Sequence, residues 1–401
     1  MRIAVHDFVG HPFQFELTRE LAACGHTACH FFFDDYPGPK GDSQVRSTDP
    51  PGFSVVPISL NRPYSTARFI QRGLNNLHYG AVASRRIAQF RPDVVISGNT
   101  PLEAQGQLQR TAHGAGAAFV FWMQDFYSLA VKTLVSHRIP LIGTLIGNVY
   151  HRMEGQQLRA SEEIVLISEG FRTELLSFGL DETRINIIPN WGALSELPQR
   201  PRNNEWSLTN GLSDKFVFLY SGTLGMKHDP MLLLRLADAF ADDPEVLIVV
   251  TCAGSGAELL SRLLADAPRT NVRLLPLQPI GQFPDVLGSA DVLIGLLESD
   301  AGRFSIPSKV LSYLCAGRAV LLSAPEQNLA AHTVREAQAG LVVSATDLAG
   351  FIQGARRLRT ESILRQTCAA GGRAYALAHF TIPKVTQRFS AVFERAIAQR
   401  R

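Results

Sequence analysis

Short apolar runs alternate with longer amphipathic stretches along the first half of the chain. Runs of strand length occupy residues 2–6, 27–33, 93–97, 118–123, 163–168 and 185–189. Residues 13–24 have apolar positions at helical spacing, and Gly25 follows them as a stop signal. Buried parallel strands are near-continuous apolar runs, and helices cover both faces of their sheet. The pattern therefore predicts repeated β-α-β units around a parallel sheet.

The alternation stops at a polar segment, residues 192–214, and then restarts. Strand-like runs lie at residues 216–220, 245–251, 272–275 and 291–296, and helical stretches at 230–240, 257–265 and 283–290. We therefore expect two doubly wound α/β domains, residues 1–191 and 215–372, joined by a linker at residues 192–214. Residues 373–401 read as an amphipathic helical tail that crosses back to brace the first domain.

Composition and charge narrow the class of protein. A chain of 401 residues that is 46% hydrophobic and 19% charged suits two globular domains, and a net charge of +3 gives no reason to expect a nucleic-acid partner. The five cysteines lack paired spacing, which favours buried thiols in a reducing cytoplasm. The apolar stretch at residues 139–150 is too short to span a bilayer. We expect a cytoplasmic protein whose membrane contact, if present, is peripheral.

Residues 51–92 form a basic segment without a single Asp or Glu. Its arginines are Arg62, Arg68, Arg72, Arg85, Arg86 and Arg91, interleaved with Phe69, Leu74, Leu77 and Tyr79. One interpretation is a surface that rests on anionic lipid headgroups. The other is a solvated helix face that lacks acids by chance.

A glycine turn in residues 220–230 is the strongest local signal for a phosphate site. A strand runs into Gly222, and a helix opens near Pro230 after Lys227. Glycine lets the backbone approach a ligand closely, and the start of a helix offers free N–H groups and a positive dipole end to an anion. The alternative is an ordinary strand-to-helix turn with Lys227 in solvent.

Residues 305–320 form a second loop that enters a helix, with Pro307 at its first turn. Ser308 and Lys309 then occupy the anion-binding end, and Ser312 shares the helix face of Ser308. A third element ends a strand with Gly254 and Gly256. Its G-x-G lacks the third glycine and the acidic residue of a dinucleotide site, which argues against a dehydrogenase.

In the first domain, Asp125 follows an apolar strand and is predicted to face the ligand crevice. Its carboxylate can bind a sugar hydroxyl or handle a proton, or it can simply cap the next helix. The loop after the first strand contains Gly10, His11 and Gln14, which we expect on the acceptor side. Metal-ligand spacing, a G-x-S-x-G motif and a P-loop are absent from the sequence, so metalloenzyme, hydrolase and ATPase interpretations lose support.

Taken in order, these segments resemble the family-4 retaining glycosyltransferases, and in particular the bacterial polysaccharide branch that includes L-fucosamine transferases and colanic-acid transferases. The segments that carry the resemblance are residues 7–14, 122–125, 164–168, 184–191, 221–227 and 307–318. The resemblance implies a GT-B fold, two Rossmann-like domains facing a cleft. It also implies transfer of a sugar from a nucleotide-sugar, with a UDP-sugar favoured, to a saccharide acceptor linked to polyprenyl diphosphate.

The same resemblance assigns roles to individual residues. The donor-binding set is Gly222, Thr223, Lys227, Asn190, Gly254, Ser308, Lys309 and Ser312, the catalytic set is Asp125, Lys227 and Lys309, and the acceptor set is Gly10, His11 and Gln14. The nucleotide-sugar is a substrate, so no cofactor and no metal are expected.

The chain departs from the family pattern at three positions. The family's two glutamates fall on Phe304 and Ser312, and its diphosphate-binding arginine falls on Thr223. Two alternatives therefore stay open beside the transferase: a catalytically silent sugar-nucleotide-binding partner subunit, and an enzyme of the same fold that resembles the UDP-sugar 2-epimerases.

Overall fold

Strands and helices alternate along the chain in the order that the apolar pattern predicts. The computed structural model describes residues 1–37, 40–61, 64, 69–136, 140–225, 228–298 and 308–400, with the backbone alone at residues 69, 70, 130, 133–136, 140–142 and 308. The chain divides into two compact units, one made of Met1–Asn190 with Ile382–Arg401 and the other of Trp191–Thr381.

The first unit is built on a parallel sheet. Its strands are β1 Arg2–Asp7, β2 Thr27–Phe33, β3 Phe53–Ile58, β4 Val94–Gly98, β5 Ala118–Met123, β6 Glu163–Leu166 and β7 Ile185–Ile187. They lie in the order β3-β2-β1-β4-β5-β6-β7 within the described part of the chain. Residues of β1, β4 and β5 are almost entirely buried, as strands with helices on both faces must be.

The helices of this unit are α1 Pro12–Ala23, α2 Phe69–Phe90, α3 Leu102–Gly114, α4 Tyr127–Ser136, α5 Pro140–Ala160 and α6 Arg172–Leu176. A 3-10 turn at Glu169–Phe171 precedes α6, and the Ser168 side chain caps it by accepting a hydrogen bond from Gly170 N.

The basic segment, residues 51–92, is not one continuous surface, because it contains the strand β3 and because Tyr79 of α2 is completely buried.

The second unit repeats the architecture. Its strands are β8 Phe216–Thr223, β9 Val246–Ala253, β10 Val272–Leu275, β11 Val292–Leu296, β12 Ala319–Ser323 and β13 Gly340–Val343, in the order β10-β9-β8-β11-β12-β13 among the described residues. Its helices are α7 Glu205–Thr209, α8 Met231–Ala239, α9 Ser255–Asp266, α10 Phe283–Gly288, α11 Ser308–Ala316, α12 Leu329–Glu336, α13 Leu348–Thr360 and α14 Ser362–His379. Both sheets are doubly wound, as predicted.

The segment expected to be a structureless linker contains α7. Asn204 and Ser207 form a reciprocal capping box, in which the Asn204 side chain accepts from Ser207 N at 3.0 Å. Trp206 is buried and donates its indole N–H to Gln278 at 3.2 Å. The sequence pattern missed this helix because five residues with one buried apolar side chain have no visible period.

The last helix, α15 Ile382–Arg400, belongs to the first unit, which confirms the predicted crossing back. It packs on α1 and β5, and the ring of Phe389 lies 4.8 Å from that of Trp122. The returning segment starts at Ile382, later than the expected residue 373. The residues before it form α14, which packs on α11 and β12 inside the second unit.

Candidate functional site

Lys309 and the loop after β8 form the centre of the candidate donor site in the second unit. Gly222 has φ +131°, and a β-carbon added there would lie 3.5 Å from Lys309 Cε. The Lys309 ammonium donates a hydrogen bond to the Tyr220 hydroxyl and lies 3.3 Å from the carbonyl oxygen of Thr223. Gly222, Thr223 and Lys309, three residues of the predicted donor-binding set, thus lie together.

The partners of Lys309 are neutral. None of the ion pairs among the described residues involves Lys309, and its ammonium also lies 4.1 Å from the centre of the Tyr220 ring. Burial lowers the pKa of Lys309 to about 7. A bound anion would stabilise the charged form of this lysine, which makes Lys309 a strong candidate for contact with a diphosphate.

Two tyrosines support this loop, and sequence analysis gave neither a role. The Tyr220 hydroxyl donates to Thr223 O at 2.8 Å, and the Tyr313 hydroxyl on α11 lies 3.2 Å from both N and O of Ser221. Burial raises the pKa of both hydroxyls well above the ordinary value, so they stay protonated. Both tyrosines lay within predicted motifs, but only the fold shows where their hydroxyls point.

The glycines after β9 are explained by close packing. Gly254 has φ +104°, and a β-carbon there would come within 2.9 Å of Leu224 O. A β-carbon at Gly256 would lie 2.8 Å from the same oxygen. Gly254 also lies beside Thr223, since its added β-carbon would be 3.5 Å from Thr223 Cγ2. Gly254 therefore borders the candidate donor site, and its conformation is required by the neighbouring turn.

A cavity of about 380 Å³ opens at the carboxyl ends of β11 and β12. Its lining residues are Asp229, Leu232, Leu296, Leu297, Glu298, Ser323 and Ala345. Ligands of open α/β sheets bind outside the carboxyl ends of the strands, so this cavity is in the expected place for part of a nucleotide. Ser312, one turn into α11, is partly buried.

The predicted acceptor loop follows β1 and is organised by a buried carboxylate. Asp7 accepts backbone hydrogen bonds from Val9 at 3.1 Å and from Gly10 at 3.0 Å, and it lies 3.0 Å from His11 Nδ1. Burial alone would raise the pKa of Asp7, but attraction to His11 and its hydrogen bonds lower that pKa to about 2. Gly10 takes φ +87° in this turn. The loop is therefore held rigidly around an ionised carboxylate.

Gln14 lies near the same loop but points into the interior. It is completely buried, and neither atom of its amide has a hydrogen-bond partner among the described residues. A β-carbon added at Gly98, the last residue of β4, would come within 3.3 Å of Gln14 Nε2. A buried amide without partners is costly, so this position holds unused capacity to bind a polar group.

Asp125 is exposed at the end of β5, where the sequence predicted it. The preceding Gln124 forms a reciprocal amide pair with Asn190, with distances of 2.6 and 3.2 Å. Asn190, predicted to bind the donor, thus lies in the first unit and is fixed by Gln124.

The side chains of two predicted donor-binding residues, Lys227 and Ser308, lie outside the described part of the structure. Lys227 lies outside the described residues, as do Phe304 and Pro307, and only the backbone of Ser308 is described. In the described part of the chain, no group of three or more His, Cys, Asp and Glu side chains is arranged to hold a metal ion. No described helix is both long and apolar enough to cross a membrane.

Comparison with known proteins agrees with this geometry. Residues 12–191 match the family described as glycosyl transferase 4-like domain. A protein of Escherichia coli K12 described as a colanic acid biosynthesis glycosyl transferase, WcaI, is 22% identical over 246 residues, which cover 61% of this chain and 59% of that protein. The similarity thus spans about three fifths of the relative's length.

Several solved structures match the fold of nearly the whole chain. Anabaena HepE in complex with UDP and glucose has a TM-score of 0.72 at 13% identity, covering 98% of this chain and 99% of HepE. Sucrose-phosphate synthase from Thermosynechococcus elongatus has a TM-score of 0.72 at 12% identity, covering 100% of both chains. WaaG, a glycosyltransferase involved in lipopolysaccharide biosynthesis, has a TM-score of 0.67 at 16% identity, covering 96% of this chain and 98% of WaaG.

The two doubly wound parallel sheets and these neighbours define the GT-B fold. Within that fold, residues 12–191 are similar to the glycosyl transferase 4-like domain family.

Proposed function

We propose that the protein is a retaining glycosyltransferase that moves a sugar from a UDP-sugar to a saccharide acceptor in surface polysaccharide biosynthesis. Lys309 beside Gly222, with only neutral partners, is the observation that carries the donor part. Complexes of HepE with UDP and with UDP-glucose, which share the fold, favour UDP as the nucleotide. The descriptions of WcaI and WaaG favour a polysaccharide product.

Lysines and a helix end stabilise the leaving group in this reaction, and residues of the first unit bind the acceptor. The developing charge on the departing diphosphate is neutralised by Lys309 and Lys227 and by the first turn of α11. Gly10 and His11 bind the acceptor, and Asp125 orients a sugar hydroxyl. The acceptor attacks from the face that the diphosphate leaves, so the anomeric configuration is retained. Since lysines carry the charge, the scheme uses no metal, and activity should survive EDTA.

Binding and turnover of nucleotides test the donor part. UDP, GDP, ADP and TDP are titrated calorimetrically into the wild-type chain, into Lys309→Met and into the control Lys215→Met. Lys215 is an exposed lysine of the same unit that contacts Pro244 O at 2.9 Å. UDP should bind to the wild type and the control, and at least about 10-fold more weakly to Lys309→Met. Equal affinity in all three proteins would contradict the proposal.

Turnover separates the enzyme from a silent partner subunit. The wild-type chain is incubated with UDP-glucose and UDP-N-acetylglucosamine, and UDP release and the anomeric configuration of the product are measured. Release with retained configuration supports the proposal. A chain that binds UDP but releases none from either donor would behave as the silent partner, and inverted configuration would overturn the retaining mechanism alone.

We also propose that the acceptor is linked to polyprenyl diphosphate and that α2 contacts an anionic membrane surface. Leu74 and Leu77 expose 63% and 46% of their surface, and the nearby Arg85 and Arg86 are exposed. Apolar side chains flanked by arginines suit the headgroup region of anionic lipids. Vesicles containing phosphatidylglycerol should bind the wild type better than phosphatidylcholine vesicles do. Arg85→Gln with Arg86→Gln should remove that difference.

A further inference from the structure

Asp7 and His11 form a carboxylate–imidazole pair at the end of β1. The Asp7 side chain is fully buried, whereas 25% of the His11 side chain is exposed. His11 turns Nδ1 toward Asp7 at 3.0 Å, which leaves Nε2 as the nitrogen available to a ligand. Asn99, which has φ +52°, reaches into the pair from the loop after β4, with Nδ2 at 3.4 Å from Asp7 Oδ1.

Such a pair fixes the tautomer and the orientation of the imidazole. A carboxylate on Nδ1 holds the ring in one position, stabilises its protonated form and makes Nε2 a better proton acceptor. Asp7 itself is held by backbone N–H groups of Val9 and Gly10, so it cannot turn away from His11. The geometry is therefore that of a positioned base rather than of a surface histidine.

We propose that Asp7 positions His11 and that His11 Nε2 accepts the proton of the acceptor hydroxyl during sugar transfer. This inference rests on the proposed function. As the acceptor oxygen bonds to the anomeric carbon, its proton passes to Nε2, and the bond from that carbon to the phosphate oxygen breaks. The electron pair of that bond leaves with the diphosphate, and solvent later removes the proton from His11. Asp7 stays ionised throughout.

The electrostatic surroundings of His11 support this role. Burial opposes the charged form of His11, but the Asp7 carboxylate outweighs it and raises the pKa of His11 above its ordinary value. The other ionisable groups that interact with Asp7 include His6, His30, Tyr36 and Tyr79. Burial lowers the pKa of His6 to about 4 and that of His30 to about 3, and it raises the pKa values of both tyrosines. All four are neutral near pH 7, so Asp7 is the charge that sets the behaviour of His11.

Titration of His11 by NMR tests the positioning by Asp7. In Asp7→Asn the pKa of His11 should fall, because the attracting charge is gone. The matched control is Glu162→Gln, which removes the carboxylate of a second pair in the same unit, Glu162 with His113 at 3.2 Å, and should leave His11 unchanged. A His11 pKa that does not move in Asp7→Asn would overturn the positioning role.

The pH profile of UDP release tests the catalytic role of His11. His11→Gln should release UDP about 100-fold more slowly, lose the acidic limb of the profile and keep the wild-type affinity for UDP. Asp7→Asn should shift that limb to lower pH, and imidazole should partly restore His11→Ala. The matched control His113→Gln should behave as wild type.

Two outcomes would overturn the catalytic role. One is a wild-type pH profile in His11→Gln, which would mean that the departing diphosphate takes the proton. The other is a wild-type chain that binds UDP and releases none. A chain that fails to bind UDP would instead refute the donor proposal, and the NMR titration would still decide whether Asp7 controls His11.

Discussion

At the scale of single residues, Lys309 makes UDP binding sensitive to pH. Burial lowers the pKa of this lysine to about 7, whereas a diphosphate beside it would raise the pKa again. Above pH 7 the free protein therefore lacks a proton that the complex holds, so binding takes up a proton and UDP affinity falls as the pH rises. Calorimetry at pH 8.5 in two buffers with different ionisation heats measures this uptake.

The matched variant for Lys309 is Lys309→Arg. Arginine keeps its charge at every accessible pH, so the variant should bind UDP with less proton uptake than the wild type and with a flatter pH dependence. Proton uptake of the same size in Lys309→Arg would show that another group is responsible.

Much of the residue-level site follows from the sequence, and the rest depends on contacts between distant segments. The glycine turn at Gly222 and the helix start at Lys309 are local motifs, so both were predicted. The Tyr220 contact with Lys309 joins residues 89 positions apart, and no local pattern encodes it. The partnership of Asp7 with His11 depends on the turn geometry, which the sequence pattern does not show.

At the scale of elements, Glu154 joins α5 to the start of α4 and makes stability depend on pH. It is fully buried and accepts hydrogen bonds from Tyr127 N at 2.9 Å and from Ser128. Burial raises the pKa of Glu154 to about 7 despite these bonds. The protonated form is therefore favoured by folding, and this contribution is present below pH 4.5 and lost as the pH rises through 7.

Glu154→Gln cannot ionise, so it should lack this pH dependence. The free energy of unfolding of the wild type should fall relative to that of Glu154→Gln as the pH rises from 4.5 to 8, as measured by urea denaturation. Ser128→Ala removes a hydrogen bond that favours the carboxylate, and it should extend the fall to higher pH. A difference between wild type and Glu154→Gln that stays constant with pH would rule out this role for Glu154.

Strands with continuous apolar runs were predictable, whether they lie inside a sheet or at its edge, and a strand without such a run was not. The runs at residues 27–33, 118–123 and 272–275 coincide with β2, β5 and β10. β3, one of the two edge strands of the first sheet, is largely half-buried. Its sequence contains Ser54 and Pro57 and therefore lacks a continuous apolar run. The short helix α7 escaped prediction for a similar reason, since its stability comes from its cap and from Trp206.

At the scale of the whole molecule, the chain returns to its first unit after completing the second. The helix α15 buries Val385, Phe389, Val392, Phe393 and Ala396 in the first unit. The core of the second unit is separate and includes Phe351, Phe218 and Ile248. Each unit therefore depends on its own buried apolar side chains, even though the residues of the first unit are not contiguous in sequence.

This organisation predicts that two core substitutions act on different unfolding transitions. Phe389→Ala should destabilise the first unit and Phe351→Ala the second, each by about 3–5 kcal/mol, because both side chains are fully buried. Differential scanning calorimetry with and without UDP assigns the transitions, since a ligand of the second unit stabilises that unit. In Phe389→Ala the UDP-sensitive transition should keep its temperature, whereas in Phe351→Ala it should fall. If Phe389→Ala lowered the UDP-sensitive transition as much as Phe351→Ala, the units would unfold together and α15 would stabilise both.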